Sequence, residues 1–166
     1  MVINNIVSKE KVWELLSEIP DPDIPVLSIV ELGLVRDVEV ISESIVIVTL
    51  TPSYSGCPAM GVFKDDIITA LNSSGFCEVE IKISLSPAWT TDWMSDVAKE
   101  KMRAHGIAPP EKEPESELRF ARQKQVTCPH CGKQETKLVS RFGSTPCKAL
   151  WYCDTCEQPF EYFKCF

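Results

Sequence analysis

The sequence predicts two modules: a small α+β domain of helix–strand–strand–helix–strand order and, beyond a linker, a C-terminal module built around cysteines. Three observations carry this expectation. Apolar residues recur at helical spacing over 9–19 and 58–71, and at strand spacing over 34–40, 45–51 and 77–85. Six of the eight cysteines (Cys128, Cys131, Cys147, Cys153, Cys156 and Cys165) fall in the last 39 residues. Charge divides in the same region. Residues 1–117 hold 9 Lys+Arg and 20 Asp+Glu, a net of −11, whereas residues 118–166 hold 8 and 4, a net of +4.

The first helix is expected over 9–19, with Ser8 as its N-cap and Glu10 in the first turn. Val12, Trp13, Leu15, Leu16 and Ile19 form its apolar stripe, and Pro20 ends it. Prolines at 20, 22 and 25 then exclude regular helix. A strand over 34–40 would turn one face of Leu34, Val38 and Val40 inward and the other, Asp37 and Glu39, outward. After the turn at "SES", the run "IVIVTLT" reads as a strand buried on both sides. The helix from Pro58 to about Leu71 carries Met60, Phe63, Ile67, Ala70 and Leu71, and "NSSG" stops it. In "CEVEIKISL", Val79, Ile81, Ile83 and Leu85 alternate strictly with polar residues. The strand–helix–strand step is long enough for a parallel crossover. This places the first domain at 1–86.

Residues 87–117 read as a connection. Thr90 or Thr91 caps a short helix carrying Trp93, Met94, Val97 and Met102, with Gly106 as its stop, and "IAPPEKEPESE" reads as an extended, solvated linker. Residues 118–166 then form the cysteine module. "TCPHCGK" and "WYCDTCEQ" hold two C-x-x-C pairs, Cys128/Cys131 and Cys153/Cys156, with 21 residues between them. Two residues between thiols let one tight knuckle present both sulfurs to a single ion, and Gly132 supplies the backbone freedom after the first knuckle. Two knuckles make a closed tetrahedral site, so the module reads as a four-cysteine zinc ribbon whose metal supplies much of its folding free energy. Competing readings are a redox-active "CPHC" pair, an iron–sulfur cluster drawing on Cys147 and Cys165, ligation by His130, and a secreted disulfide module. Small apolar packing is preferred for Cys147 and Cys165, and an outward side chain for His130.

No apolar run reaches membrane-spanning length, and the N-terminus lacks the pattern of an export signal, so a soluble cytoplasmic protein is expected. Basic residues and aromatics share the tail, but a sequence pI near 4.9 speaks against nucleic acid, leaving core packing or partner docking for the aromatics. The chain carries no Rossmann or P-loop glycine pattern and no E-x-x-H motif of di-iron oxygenases. Cys57, between Gly56 and Pro58, stands at or near a helix start, where the macrodipole favours a negative sulfur. No histidine lies near enough in sequence to form a catalytic pair with it. On physics alone an inert buried thiol competes evenly with a reactive one.

"DPDIPVLSIVELGLVRDVEV" followed by "LTPSYSGCPAM" resembles the SufT-like family of iron–sulfur assembly domains, over roughly residues 9–86. That resemblance implies the α+β fold above. It also marks Cys57, with Asp21 and Asp23 nearby, as candidates for cluster or metal transfer. "SPAWTTDWMSDVAKEKMRAHGIAPP", the two knuckles, "RFGSTPCKALWYC" and "EQPFEYFKCF" extend the likeness over nearly the whole chain, to the PaaD-type accessory subunits of phenylacetyl-CoA epoxidase. "EQPF" departs from the acidic-Pro-Phe wording of that family without altering a ligand. The resemblance implies a maturation subunit rather than an enzyme, structural zinc, and a transient iron–sulfur cluster. It further implies protein partners such as the iron–sulfur reductase. A homodimer would let Cys57 act together with the Cys57 of a second copy.

Overall fold

The computed structural model describes residues 8–111 and 125–164. It divides into two compact units, Met1–Ser95 and Asp96–Phe166.

In the first unit the order is α1 (Lys9–Ser17), β1 (Val35–Ser42), β2 (Ile45–Leu50), α2 (Ala59–Ser73) and β3 (Glu78–Ile83). Ser8 caps α1, its hydroxyl accepting from the Lys11 amide at 3.3 Å. The sheet order is β1-β2-β3, with β1/β2 antiparallel and β2/β3 parallel, so α2 is the crossover. In register, Val38 faces Val48 and Val48 faces Ile81, which aligns the apolar residues of all three strands on one face. Val12, Leu16, Phe63, Ile67 and Leu71 from the helices are buried with them.

Two expectations need correction here. β2 is not buried on both faces: Ile45, Ile47 and Thr49 are only half-buried, because the helices cover one side of the sheet. On β3 the alternation holds, yet Val79 and Ile81 are only half-buried, and Ile83 at its end and Leu85 beyond it are exposed.

The proline-rich stretch after α1 is core rather than loop surface. Ile24, Leu27, Ile29 and Leu32 are all buried. Backbone bonds from Asp21 N–H to the Leu27 carbonyl and from Ile29 N–H to the Ile19 carbonyl fold it back on itself. Ser28 and Glu31 cap each other reciprocally, each side chain accepting the other's amide. Residues 87–95, read from sequence as part of the connection, pack with this unit. Trp89 and Met94 are buried, the Trp89 indole N–H donates to the Leu32 carbonyl at 3.0 Å, and the Arg36 guanidinium lies 3.5 Å from the centre of the Trp93 ring. Thr90 caps only a single 3₁₀ turn, Thr91–Trp93.

The second unit starts with α3 (Asp96–Ala104), which buries Ala98 and Met102 but leaves Val97 exposed. Its order then runs β4 (Ile107–Ala108), β5 (Thr136–Ser140), β6 (Lys148–Cys153) and β7 (Gln158–Phe163), in a sheet ordered β4-β7-β6-β5. Ile107 and Ala108 pair in parallel with Glu161 and Tyr162, and Ala108, Pro109 and Pro110 are buried. The first residues of the expected solvated linker are therefore a strand of the ribbon sheet, held by backbone pairing that no side-chain pattern announces. Glu111 accepts from the Thr127 amide at 3.2 Å, closing the base of the segment between them. Residues 112–117 of the expected linker lie outside the described residues.

One sheet face packs Trp151, Phe160, Tyr162 and Ala149 with Ala108, Val126, Cys128 and Cys153. On the other, Lys148 is 3% exposed and pairs with Glu161 at 2.9 Å. Burial pushes the Glu161 carboxyl up, but the bonds from Lys148 and the Ser144 amide outweigh it and hold the group below its ordinary value. Glu161→Gln is expected to cost about 3 kcal/mol at neutral pH, because it strands a buried ammonium. A carboxylate with a lowered folded pKa adds stability above its unfolded pKa and loses it as pH falls through the folded value. Chemical denaturation of both proteins across pH should show the gap full at neutrality and closing only below the ordinary carboxylate range.

Candidate metal centre and the Cys57 turn

Both knuckles are built from backbone. In the first, the Cys128 amide donates to the Lys133 carbonyl and the Gly132 amide to the Cys128 carbonyl, with Gly132 at φ +73°. The second has no glycine: Glu157 occupies the equivalent place after Cys156 at φ +57°. A side chain is strained in that left-handed region, so Glu157→Gly is expected to stabilise the ribbon by about 0.5–1 kcal/mol, the relief outweighing the greater freedom of an unfolded glycine. A raised thermal midpoint of the metal-loaded ribbon is the readout. Lys137 and Asp154, 2.6 Å apart, tie β5 to the second knuckle.

The two knuckles bring four sulfurs together. Cys128 and Cys156 are 3.7 Å apart, Cys131 and Cys153 3.6 Å, and all four Sγ atoms lie within 4.8 Å of one another. A disulfide needs about 2.05 Å, which these spacings exceed. A tetrahedron of sulfurs around an ion at about 2.3 Å has edges of roughly 3.8 Å, close to the 3.7 and 3.6 Å of these two pairs. The thiols are electrostatically unlike. Amide N–H groups of Cys156 and Thr155 aimed at Cys153 bring it down to about 7 against the effect of burial. Burial, reinforced by hydrogen bonds with the neighbouring thiols, pushes Cys156 up to about 12. Four thiols this close cannot all ionise without a cation, so a bound metal replaces protons.

His130 is not among the clustered ligand atoms. Its ring stacks edge-on to Phe160, 6.5 Å between centroids, and covers Gly106, where a Cβ would come within 2.9 Å of Cε1. Gly106 at φ +75° thus ends α3 and also admits the knuckle's histidine. Cys147 is buried, 3.0 Å from the Thr145 hydroxyl and outside the cluster. Cys165 lies outside the described residues.

In the first unit, Gly56 takes φ +83° and Cys57 follows half-buried. Pro58 holds the N-cap position of α2, so the thiol stands one residue ahead of the helix boundary, and no side chain caps that boundary. Asp21 is buried, and one of its carboxylate oxygens accepts the amides of Asp23 and Ile24, both at 2.8 Å. It fixes the turn of the proline-rich loop. Among the described residues, Cys57, Asp21 and Asp23 do not crowd their ligand atoms into one cluster; only the four ribbon cysteines do.

These two architectures have known counterparts. Residues 9–83 match the family described as iron-sulfur cluster assembly protein, and residues 112–164 the PaaD zinc beta ribbon domain. Over 155 residues, 93% of this chain and 92% of the relative, the sequence is 48% identical to a subunit of the "Putative 1,2-phenylacetyl-CoA epoxidase" of Escherichia coli (strain K12). The chain belongs to the PaaD family of phenylacetyl-CoA epoxidase subunits. The chain is also 35% identical over 92 residues, 55% of its length and 89% of the relative, to the Fe-S protein maturation auxiliary factor YitW of Bacillus subtilis (strain 168). The crystal structure of a domain of unknown function from Bacillus anthracis aligns with a TM-score of 0.53 at 30% identity, covering 57% of this chain and 90% of that one. This chain thus joins an assembly-type domain to a ribbon. No described helix of this member is long and apolar enough to cross a membrane.

Proposed function

We propose that this subunit is an accessory protein, not an enzyme, of a cytoplasmic phenylacetyl-CoA epoxidase. It would help assemble an iron–sulfur cluster or pass one to the reductase component. The observation that supports this most directly is that the unit carrying Cys57 matches the iron–sulfur assembly family while the whole chain matches an epoxidase subunit. Cys57 is the transient ligand to the cluster cargo, shared with Cys57 of a second copy in a homodimer, with Asp21 and Asp23 as further candidates for the transfer. Cys128, Cys131, Cys153 and Cys156 hold one structural zinc ion. Zinc supplies no chemistry there beyond tying the knuckles together, since four protein thiolates leave it no open position.

Anaerobic reconstitution with iron and sulfide tests the carrier role. A visible cluster spectrum is expected from the parent protein and not from Cys57→Ser, with equal zinc content in both. Identical spectra would defeat it. A second reading, a structural subunit that only docks, draws on the absence of a ligand cluster around Cys57 among the described residues. It predicts co-purification with the oxygenase and no metal beyond zinc.

A further inference from the structure

Of the tail aromatics, Trp151, Phe160, Tyr162 and Phe163 are buried and Tyr152 half-buried, whereas Phe142 is 66% exposed. Leu138 and Val139, four and three positions earlier in the sequence, are 46% and 57% exposed. Among the described residues, three of the eight exposed large apolar side chains thus fall within five positions. Scattered exposed apolar residues need no explanation, but a local concentration does.

This concentration sits on a rigid support. The Gly143 amide donates to the Lys148 carbonyl, and the Ser144 amide to the Glu161 carboxylate at 2.6 Å. That carboxylate is the one paired with buried Lys148. Ser140 Oγ donates to the Phe142 carbonyl and accepts the Phe142 amide, and Lys164 Nζ reaches the Arg141 carbonyl. The loop that displays Phe142 is therefore ordered before any partner arrives, which removes much of the entropic cost of binding. A Cβ at Gly143 would meet Glu161 Oε1 at 2.7 Å, so the loop also lies close over the ion pair.

Charge narrows the occupant. No carboxylate occurs in sequence between Glu135 and Asp154, while Lys137, Arg141 and Lys148 do. Lys137 and Lys148 are matched by Asp154 and Glu161. Arg141 is exposed and, among the described residues, makes no ion pair with its side chain. The Lys164 ammonium lies 4.8 Å from the centre of the Phe142 ring, covering one ring face. One ring face stays open, next in sequence to an exposed arginine, and aromatic residues and arginine are the side chains enriched at protein–protein interfaces.

We propose that this hairpin tip, centred on Arg141 and Phe142, docks a partner protein through an apolar socket rimmed by carboxylates. The inference rests on the reading of this chain as a subunit that works on protein partners. The full-length, zinc-loaded protein should be titrated calorimetrically with each purified reductase and oxygenase subunit of the same organism's phenylacetyl-CoA epoxidase. One of them is expected to bind, with Phe142→Ala weakening it by about tenfold or more. Arg141→Glu should weaken it chiefly at low salt, where charge attraction is least screened. Val139→Ser, at the surface, keeps the test valid if Phe142→Ala disturbs folding, which circular dichroism and zinc content report. Binding unchanged in all three variants overturns the proposal, as does a parent protein that binds none of the subunits. Arg141-dependent binding to a single-stranded oligonucleotide alone, or Phe142-dependent self-association in sedimentation, overturns it in favour of nucleic acid or a second copy. Cys57→Ser should dock normally. Docking retained while both proteins reconstitute identically counts against the carrier reading alone, and Cys57-dependent reconstitution without docking counts against this proposal alone.

Discussion

Cys153→Ser is expected to unfold the second unit while the first stays folded. Cys153 is fully buried, its sulfur lies 3.6 Å from Cys131, and it belongs at once to the thiol cluster and to the apolar core. That core is thin, since two of its eight buried members, Cys128 and Cys153, are themselves cluster thiols. Burial alone stabilises a module of this size marginally at best. Structural zinc contributes about 10–16 kcal/mol in comparable small sites, so losing one of four thiolates removes more than the remaining contacts can replace. Amide resonances of α3 and β4–β7 should collapse into the unfolded range while those of α1–β3 keep their dispersion, and bound zinc should fall from one per chain. A strong chelator should reproduce the effect in the parent protein. A serine variant with a fully dispersed ribbon would show that packing, not metal, holds the unit.

Gly33→Ala is expected to be the most damaging single methyl in the first unit. A Cβ there would stand 2.6 Å from the Trp93 carbonyl oxygen, 2.8 Å from Trp93 Cβ and 3.0 Å from its carbonyl carbon. Two of those three atoms are backbone, and the Trp93 amide is tied to the Thr90 carbonyl. Residue 33 also takes φ +71°, which penalises any L side chain. Strain and clash together should cost about 3 kcal/mol or more, a large share of a small domain's stability. Denaturant unfolding should show a lower midpoint at unchanged slope. A shift below about 1 kcal/mol would mean that residues 87–95 can lift away from the sheet without penalty.

What the sequence made legible was whatever repeats or whatever carries unmistakable chemistry. Ser8 with the stripe of Val12 and Leu16, the alternation of Val79 and Ile81, and the two C-x-x-C pairs each announce a local structure. The cysteine spacing singled out the four sulfurs that lie within 4.8 Å of one another among the described residues. Long-range partners were not legible. Nothing in "SPAWTTDWM" shows that Trp89 donates to Leu32 or that Trp93 lies on Gly33 and under Arg36. Edge position was equally silent, because β3 reads like an inner-face strand whether or not a helix reaches Ile83. β4 was hidden for a similar reason: two residues before a Pro-Pro pair carry no periodicity, and their pairing is wholly backbone. Asp21 marked an important turn, but only the structure shows its carboxylate occupied with the amides of Asp23 and Ile24.

The bond between Glu111 and Thr127, together with β4, alters how the ribbon can be moved between proteins. Glu111 and Thr127 both belong to the second unit, so the expected linker does not divide one unit from the other. The covalent joint between the units falls at Ser95–Asp96. A chimaera cut just before residue 112 would discard α3, β4 and the Gly106 seat beneath His130, and would expose one side of β7. A graft intended to fold must carry everything from Asp96 onward.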